Sequence, residues 1–172
     1  MYCYPNLLII SGTSRKSGKT TMACRLIKHF RDLAPVAIKI SPHFHEVSPG
    51  LLAVDGGPGF AVYEETNADS DKDTSRMLKA GAGKVFLILA WDADVMKIFK
   101  KVIEGIPKDT PVLCESPTLR KYFEPGAFII MSSDNPDRTD MEELLSLPHI
   151  KMNLDMADKE IPVKFVNGEW IF

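Results

Sequence analysis

Nowhere is this sequence apolar for the roughly twenty residues that a membrane-spanning helix needs, and its start lacks a secretory pattern. The three cysteines, Cys3, Cys24 and Cys114, are odd in number and far apart, so neither a disulfide framework nor a cysteine-based metal site is expected. Long basic runs are missing and the formal net charge is -2, which gives no support for nucleic acid or an anionic membrane as a partner. Internal repeats and low-complexity linkers are missing too. What these absences leave is one cytoplasmic domain over residues 1–172. That length buries a core without staples, and 45% apolar with 26% charged residues is an ordinary globular balance.

What is present centres on Ser11-Gly12-Thr13-Ser14-Arg15-Lys16-Ser17-Gly18-Lys19-Thr20-Thr21. An apolar run, Leu7 to Ile10, precedes it, and Met22, Ala23, Leu26, Ile27 and Phe30 follow at helical spacing. Strand, glycine-bearing loop and helix in that order are the context a phosphate-binding loop requires. Loop N–H groups form an anion-binding concavity, and the helix adds its unpaired N-terminal donors and the positive end of its dipole. Gly12, Thr13, Ser14, Arg15, Lys16, Ser17 and Thr21 are then candidate phosphate contacts. Gly18 lets the backbone come close, Lys19 reaches the β and γ phosphates, and the Thr20 hydroxyl ligates Mg²⁺. Arg15 and Lys16 either add charge or point into solvent. Gly12 and Gly18 are separated by five residues, one more than the usual pattern, and Thr13 stands where the first glycine normally does. A longer loop of this kind resembles that of dethiobiotin synthetase.

Further along, Ala34-Pro35 ends the helix and Val36 to Ile40 reads as a second buried strand, completing a βαβ unit with parallel pairing. The following loop carries His43 and His45, which with Lys39 either bind phosphate or metal or are simply solvated. Leu51–Val54 and Phe60–Tyr63 flank Asp55-Gly56-Gly57-Pro58-Gly59 as a β-hairpin. Asp73 or Thr74 caps a short helix that Gly81 closes, Val85–Ala90 is a strand buried on both faces, and Asp92 or Asp94 opens another helix. Pro111–Cys114 and Ala127–Met131 are the last core strands, Asp140 to Leu147 a short helix, and Val163–Phe172 a hairpin around Asn167-Gly168. Three carboxylates follow apolar runs and compete as the Mg²⁺-organising acid: Asp55, Asp92 and Glu115. Ser132, Ser133 and Asp134 leave the last core strand where a base can lie, and Asp134 is either a guanine contact or a turn residue. The expected fold is α/β: a three-layer, P-loop NTPase-like arrangement, mainly parallel sheet with helices on both faces and added β-hairpins.

Three segments occur in an order that resembles the MobB family, the molybdopterin-guanine dinucleotide biosynthesis B proteins: the Gly12–Thr21 loop, Ile38-Lys39-Ile40-Ser41-Pro42-His43, and Lys72-Asp73-Thr74-Ser75-Arg76-Met77-Leu78-Lys79-Ala80-Gly81-Ala82. The likeness spans roughly residues 6–133. It implies a P-loop protein that binds GTP with Mg²⁺, hydrolyses it weakly at most, and assists guanylation of molybdopterin beside a guanylyltransferase. By that resemblance Gly18, Lys19 and Thr20 are phosphate and Mg²⁺ residues, Lys39 and His43 match part of a histidine-rich segment, and Asp73, Arg76 and Lys79 face the anion or are solvated helix charges. Glu115 corresponds to an acid that the family follows with glycine, whereas Ser116 follows it here.

Lys19 and Glu115 are therefore the candidate catalytic pair. Two further readings stand beside the GTP-binding one. An ATP-dependent small-molecule kinase or ligase of the dethiobiotin synthetase type would use His43, Arg76, Lys79 and Arg120 to hold an anionic substrate. A catalytically silent partner-binding protein would keep the fold and lose turnover. A homodimer is a candidate assembly, and the apolar C-terminal hairpin packs either on the domain or on a second chain.

Overall fold

Apolar runs four or more residues long, divided by glycine, proline and charge, force strands that are covered on both sides. The computed structural model describes every residue except 43, 45, 46 and 140. In chain order, β1 (Tyr2–Gly12) leads to α1 (Lys19–His29), then β2 (Val36–Ser41) and a hairpin of β3 (Leu51–Gly57) and β4 (Phe60–Glu65). After α2 (Asp73–Lys79) come β5 (Lys84–Ala90), α3 (Asp92–Glu104), β6 (Val112–Glu115) and β7 (Phe123–Met131). The chain ends with α4 (Glu142–Leu145), β8 (Ile150–Met152), α5 (Leu154–Ala157) and a hairpin of β9 (Lys164–Val166) and β10 (Glu169–Ile171).

The first eight strands form one sheet in the order β3-β4-β5-β2-β6-β1-β7-β8. From β5 to β8 every neighbouring pair is parallel; β4 joins β5, and β3 joins β4, antiparallel. The 51–65 hairpin therefore extends the sheet at one edge.

Alternation along β1 divides the core in two. Leu7 and Ile9 pack with Val95, Ile98, Phe99 and Ile103 of α3 and Leu144 of α4. Leu8 and Ile10 pack with Met22, Ala23, Leu26 and Ile27 of α1, Met77 of α2 and Ala157 of α5. Helices thus cover both faces, the three-layer α/β arrangement expected. None of the helices among the described residues is long and apolar enough to cross a membrane.

Differences from the expected elements are local. β1 begins near Tyr2, because residues 2–4 pair with Phe123–Pro125 ahead of a register shift between Tyr4 and Leu8. One further short strand, β8, follows the expected last core strand and adds parallel to β7. The short helix expected from Asp140 is four residues long and starts at Glu142; Asp140 itself lies outside the described residues. The C-terminal hairpin packs on the domain: Trp170 is 2% exposed and its indole Nε1–H donates to the Asn6 carbonyl at 2.9 Å.

Candidate functional site

β1 and β6 lie side by side with Ile10 opposite Glu115, so their carboxyl ends deliver the 12–18 loop and a carboxylate to one place. The loop turns into α1 at Gly18, whose φ of 90° is the left-handed region that glycine tolerates. A Cβ there would fall 2.3 Å from Leu154 Cδ2 of α5. At Gly12 a Cβ would fall 2.1 Å from Ser17 Oγ, so the loop closes on itself only because that position has no side chain. α1 begins with no side-chain cap and no acid in its first turn, in contrast to α3, which starts with Asp92 and Asp94. The α1 terminus therefore keeps the positive end of its dipole uncompensated by its own residues.

Two neighbouring side chains complete this end. Thr20 Oγ1 donates to Glu115 Oε2 at 2.7 Å, and both residues are buried. Lys19 folds back over the loop, its Nζ 2.6 Å from the Ser14 carbonyl, 3.4 Å from Ser17 Oγ and 3.5 Å from the Arg15 carbonyl. Burial lowers the Lys19 pKa; Glu115 pulls it upward, while Lys39 and Arg138 push it further down. An ammonium held this way gains when an anion arrives.

Lys39, on β2 next to β6, links this pair to α2. Its Nζ donates to Glu115 Oε1 at 3.0 Å and to Asp73 Oδ2, and Arg76 stands 3.6 Å from Asp73 Oδ1. Burial works against the Lys39 charge, yet Glu115 and Asp73 outweigh it and raise the pKa. Burial likewise works against ionised Asp73, and Lys39 outweighs it, aided by Arg76 and Thr20, so its pKa is lowered.

Above these residues opens a cavity of about 670 Å³. Its wall holds six cations, Arg15, Lys16, Lys19, Lys39, Arg76 and Arg138, against three carboxylates, Asp73, Glu115 and Asp137. An excess of cations over a glycine-bearing loop and an uncapped helix start is an arrangement that binds anions.

The structure thus gathers Ser14, Arg15, Lys16, Gly18, Lys19, Thr20, Thr21, Lys39, Arg76 and Glu115 at one cavity. Arg15, Lys16 and Thr21 are exposed on its wall, and Ser17 is buried beneath it, donating to the Ser14 carbonyl at 3.1 Å. Thr13 turns away: its Oγ1 accepts from the Ser133 N–H at 3.0 Å. Asp73 also faces the cavity, whereas Lys79 is exposed and Asp134 is an exposed residue after β7, neither of them on its wall. His43 lies outside the described residues. Of the three candidate acids, Glu115 meets Thr20. Asp92 opens α3 and accepts from Thr118 Oγ1 at 3.5 Å, and Asp55 pairs with Lys101 at 2.6 Å on the hairpin. Arg120 is not on this wall: it is 6% exposed, packs over Phe128 and donates to the Phe123 carbonyl, its Nε without a partner.

Arg138 and Asp137 are the site residues that sequence reasoning misses. Their backbone N–H groups both donate to the Thr13 carbonyl, at 3.3 and 3.2 Å respectively, which docks the segment after β7 onto the loop. The available signal was positional: charged residues following a strand beside β1 border the carboxyl-end crevice. No family model, no curated protein and no solved structure matches this chain.

Among the described residues no group of three or more His, Cys, Asp and Glu stands close enough to hold a metal by itself. The oxygens of Thr20, Glu115 and Asp73 are nonetheless hard ligands of the kind that suit Mg²⁺ when other oxygens complete the shell.

Proposed function

We propose that this chain binds the phosphates of a nucleoside triphosphate on the 12–21 loop, as a P-loop protein. The observation that carries this reading is the Thr20–Glu115 hydrogen bond at 2.7 Å beside Lys19, at an uncapped helix start. Loop amides and the first-turn donors of α1 would hold the phosphate oxygens, and Lys19 would leave the Ser14 carbonyl for them. Thr20 and Glu115, with Asp73 behind them, would hold Mg²⁺, whose contribution when bound is to neutralise the terminal phosphates. Hydrolysis is expected to be slow. Lys39 engages both Asp73 and Glu115, so neither of these carboxylates is ready to take a proton from water.

GTP as the nucleotide, and a role beside a molybdopterin guanylyltransferase, rest on the MobB-like order of segments. Titration calorimetry with Mg²⁺-GTP and Mg²⁺-ATP, run with Lys19→Ala, tests the reading. GTP binding much tighter than ATP binding, and weakened about 100-fold or more in the variant, is the expected result. Binding of neither nucleotide would reject it.

A second cavity favours one alternative. It measures about 660 Å³, shares Lys39 and Asp73 with the first, and continues to Val47, Leu51, Lys72 and Leu87. Room for a second molecule next to the phosphate end suits an ATP-dependent kinase or ligase of the dethiobiotin synthetase type. A preference for ATP in the same titration would move the conclusion there.

A further inference from the structure

The carboxyl end of β6 is short of donors. The Ser116 N–H is taken by the Ile10 carbonyl at 3.1 Å, and Pro117 has no N–H. The N–H groups of Thr118 and Leu119 both turn to Ser116 Oγ, at 3.4 and 3.1 Å. A terminal phosphate placed between the 12–18 loop and Glu115 would therefore meet no free backbone donor from this strand end. One side chain fills the gap. Arg138 Nη2 donates to the Pro117 carbonyl at 3.2 Å, and Nη1 donates to the Gly12 carbonyl at 3.1 Å and Ser11 Oγ at 3.2 Å. The guanidinium thus spans the ends of β1 and β6 on the cavity wall.

We propose that Arg138 is the residue by which this chain distinguishes a nucleoside triphosphate from a diphosphate, donating to the terminal phosphate in place of the missing backbone N–H groups. The inference rests on the nucleotide-binding reading above. Two features support it. Arg138 presents a two-pronged guanidinium donor on the cavity wall, which suits the oxygens of a phosphate. Its backbone is already fastened to the Thr13 carbonyl, so a change of partner needs only side-chain rotation. Arg138 would then also couple the 132–138 segment to the presence of that phosphate, since its present bonds to Gly12 and Pro117 would be given up.

The test is titration calorimetry of the full chain with Mg²⁺ and either the β,γ-imido triphosphate or the diphosphate of guanosine and of adenosine. The wild type is expected to bind one triphosphate at least about tenfold tighter than its diphosphate. Arg138→Gln should lose about 10- to 100-fold in triphosphate affinity, the range for hydrogen bonds to a charged group, with diphosphate affinity changed less than about twofold. Arg138→Lys, which keeps the charge without the fork, should fall between; it also serves if the glutamine variant melts early. Equal tri- and diphosphate affinity in the wild type would overturn the inference without any variant. So would an unchanged ratio in both variants, leaving the nucleotide reading intact. Failure of the wild type to bind any nucleotide would remove that reading, and the inference with it.

Discussion

Two lysine–carboxylate pairs in this molecule look alike on paper and differ in setting. At the cavity, Lys39 meets Glu115 at 3.0 Å, with side chains 21% and 7% exposed. Where α3 borders the 51–65 hairpin, Lys101 meets Asp55 at the shorter distance of 2.6 Å, with side chains 73% and 31% exposed. Distance alone would rank the hairpin pair higher. Burial reverses the order: water screens an exposed pair and competes for both partners, whereas a buried carboxylate that loses its lysine keeps the desolvation cost with nothing to offset it. Glu115 is also fixed from the other side by Thr20, so its carboxylate is oriented as well as paired. Asp55 gains one backbone bond, from the N–H of its β3 neighbour Gly56 at 2.9 Å. The setting of a carboxylate that follows apolar residues is thus decided by what the neighbouring strand brings to it.

Four experiments press on that contrast, in falling order of effect. Removing Glu115 in Glu115→Ala leaves Lys39 half-buried with Asp73 as its remaining acid and takes away the acceptor of the Thr20 hydroxyl on β6. A loss of about 3 kcal/mol is expected from the urea midpoint. A loss below about 1 kcal/mol would mean that the cavity pair is as weak as a surface one. Gly18→Ala comes next: the left-handed backbone and the approach to Leu154 both oppose a methyl group there, so about 1–2 kcal/mol should go. The drop should be smaller in Gly18→Ala combined with Leu154→Ala, because the second change removes the clash and leaves the backbone strain.

Third is the pH dependence of the Lys39–Asp73 link. Asp73 titrates below the ordinary aspartate value when folded, so its contribution is present above the unfolded value and disappears as the pH falls through the lowered one. Lys39 titrates above the ordinary lysine value, so its contribution is whole below that value and disappears as the pH rises through the raised one. Urea midpoints of the wild type and Asp73→Asn should accordingly differ by about 1 kcal/mol near neutrality and converge in acid. A difference that persists at the acid end would assign the Asp73 effect to packing rather than charge. Smallest of all, Lys101→Ala should leave the melting temperature unchanged within error, at low salt as at high. A clear downward shift at low salt alone would show that the hairpin pair carries weight that screening hides.

The frame of the site is legible in the sequence because each part of it is local. The 12–18 loop lies between an apolar run and a helical stripe, and those periodicities can be read from neighbours. The placement of Glu115 beside Thr20 is less so, since it depends on β6 lying between β1 and β2, a pairing that no local pattern encodes. Until that order is known, Asp55, Asp92 and Glu115 are equivalent as acids following apolar residues. Arg138 is harder still. It reaches Gly12 across more than a hundred residues of chain, from a polar segment whose course is set by its bonds to Thr13 and not by any repeat. β8 and α5 escape for a different reason: three and four residues are too few to display a period. Yet α5 matters to the site, for its Leu154 backs Gly18 and lines the cavity. The N-terminal end of β1 is misjudged by periodicity, because residues 2–4 pair as a strand without being buried, with backbone bonding in place of an apolar face.

Trp170 has a consequence for how the chain is made. Its ring meets Phe30 edge-on with centroids 5.0 Å apart and belongs to the same cluster as Leu8 and Ile10, so a residue translated about 160 positions after β1 roofs that strand. A ribosome releases the 12–18 loop long before that roof exists. During synthesis the face of the sheet under α1 stays partly open, and the half-built domain offers apolar surface to whatever else is nearby. Arrival of the β9–β10 hairpin, rather than formation of the loop, is then the event that closes this half of the core.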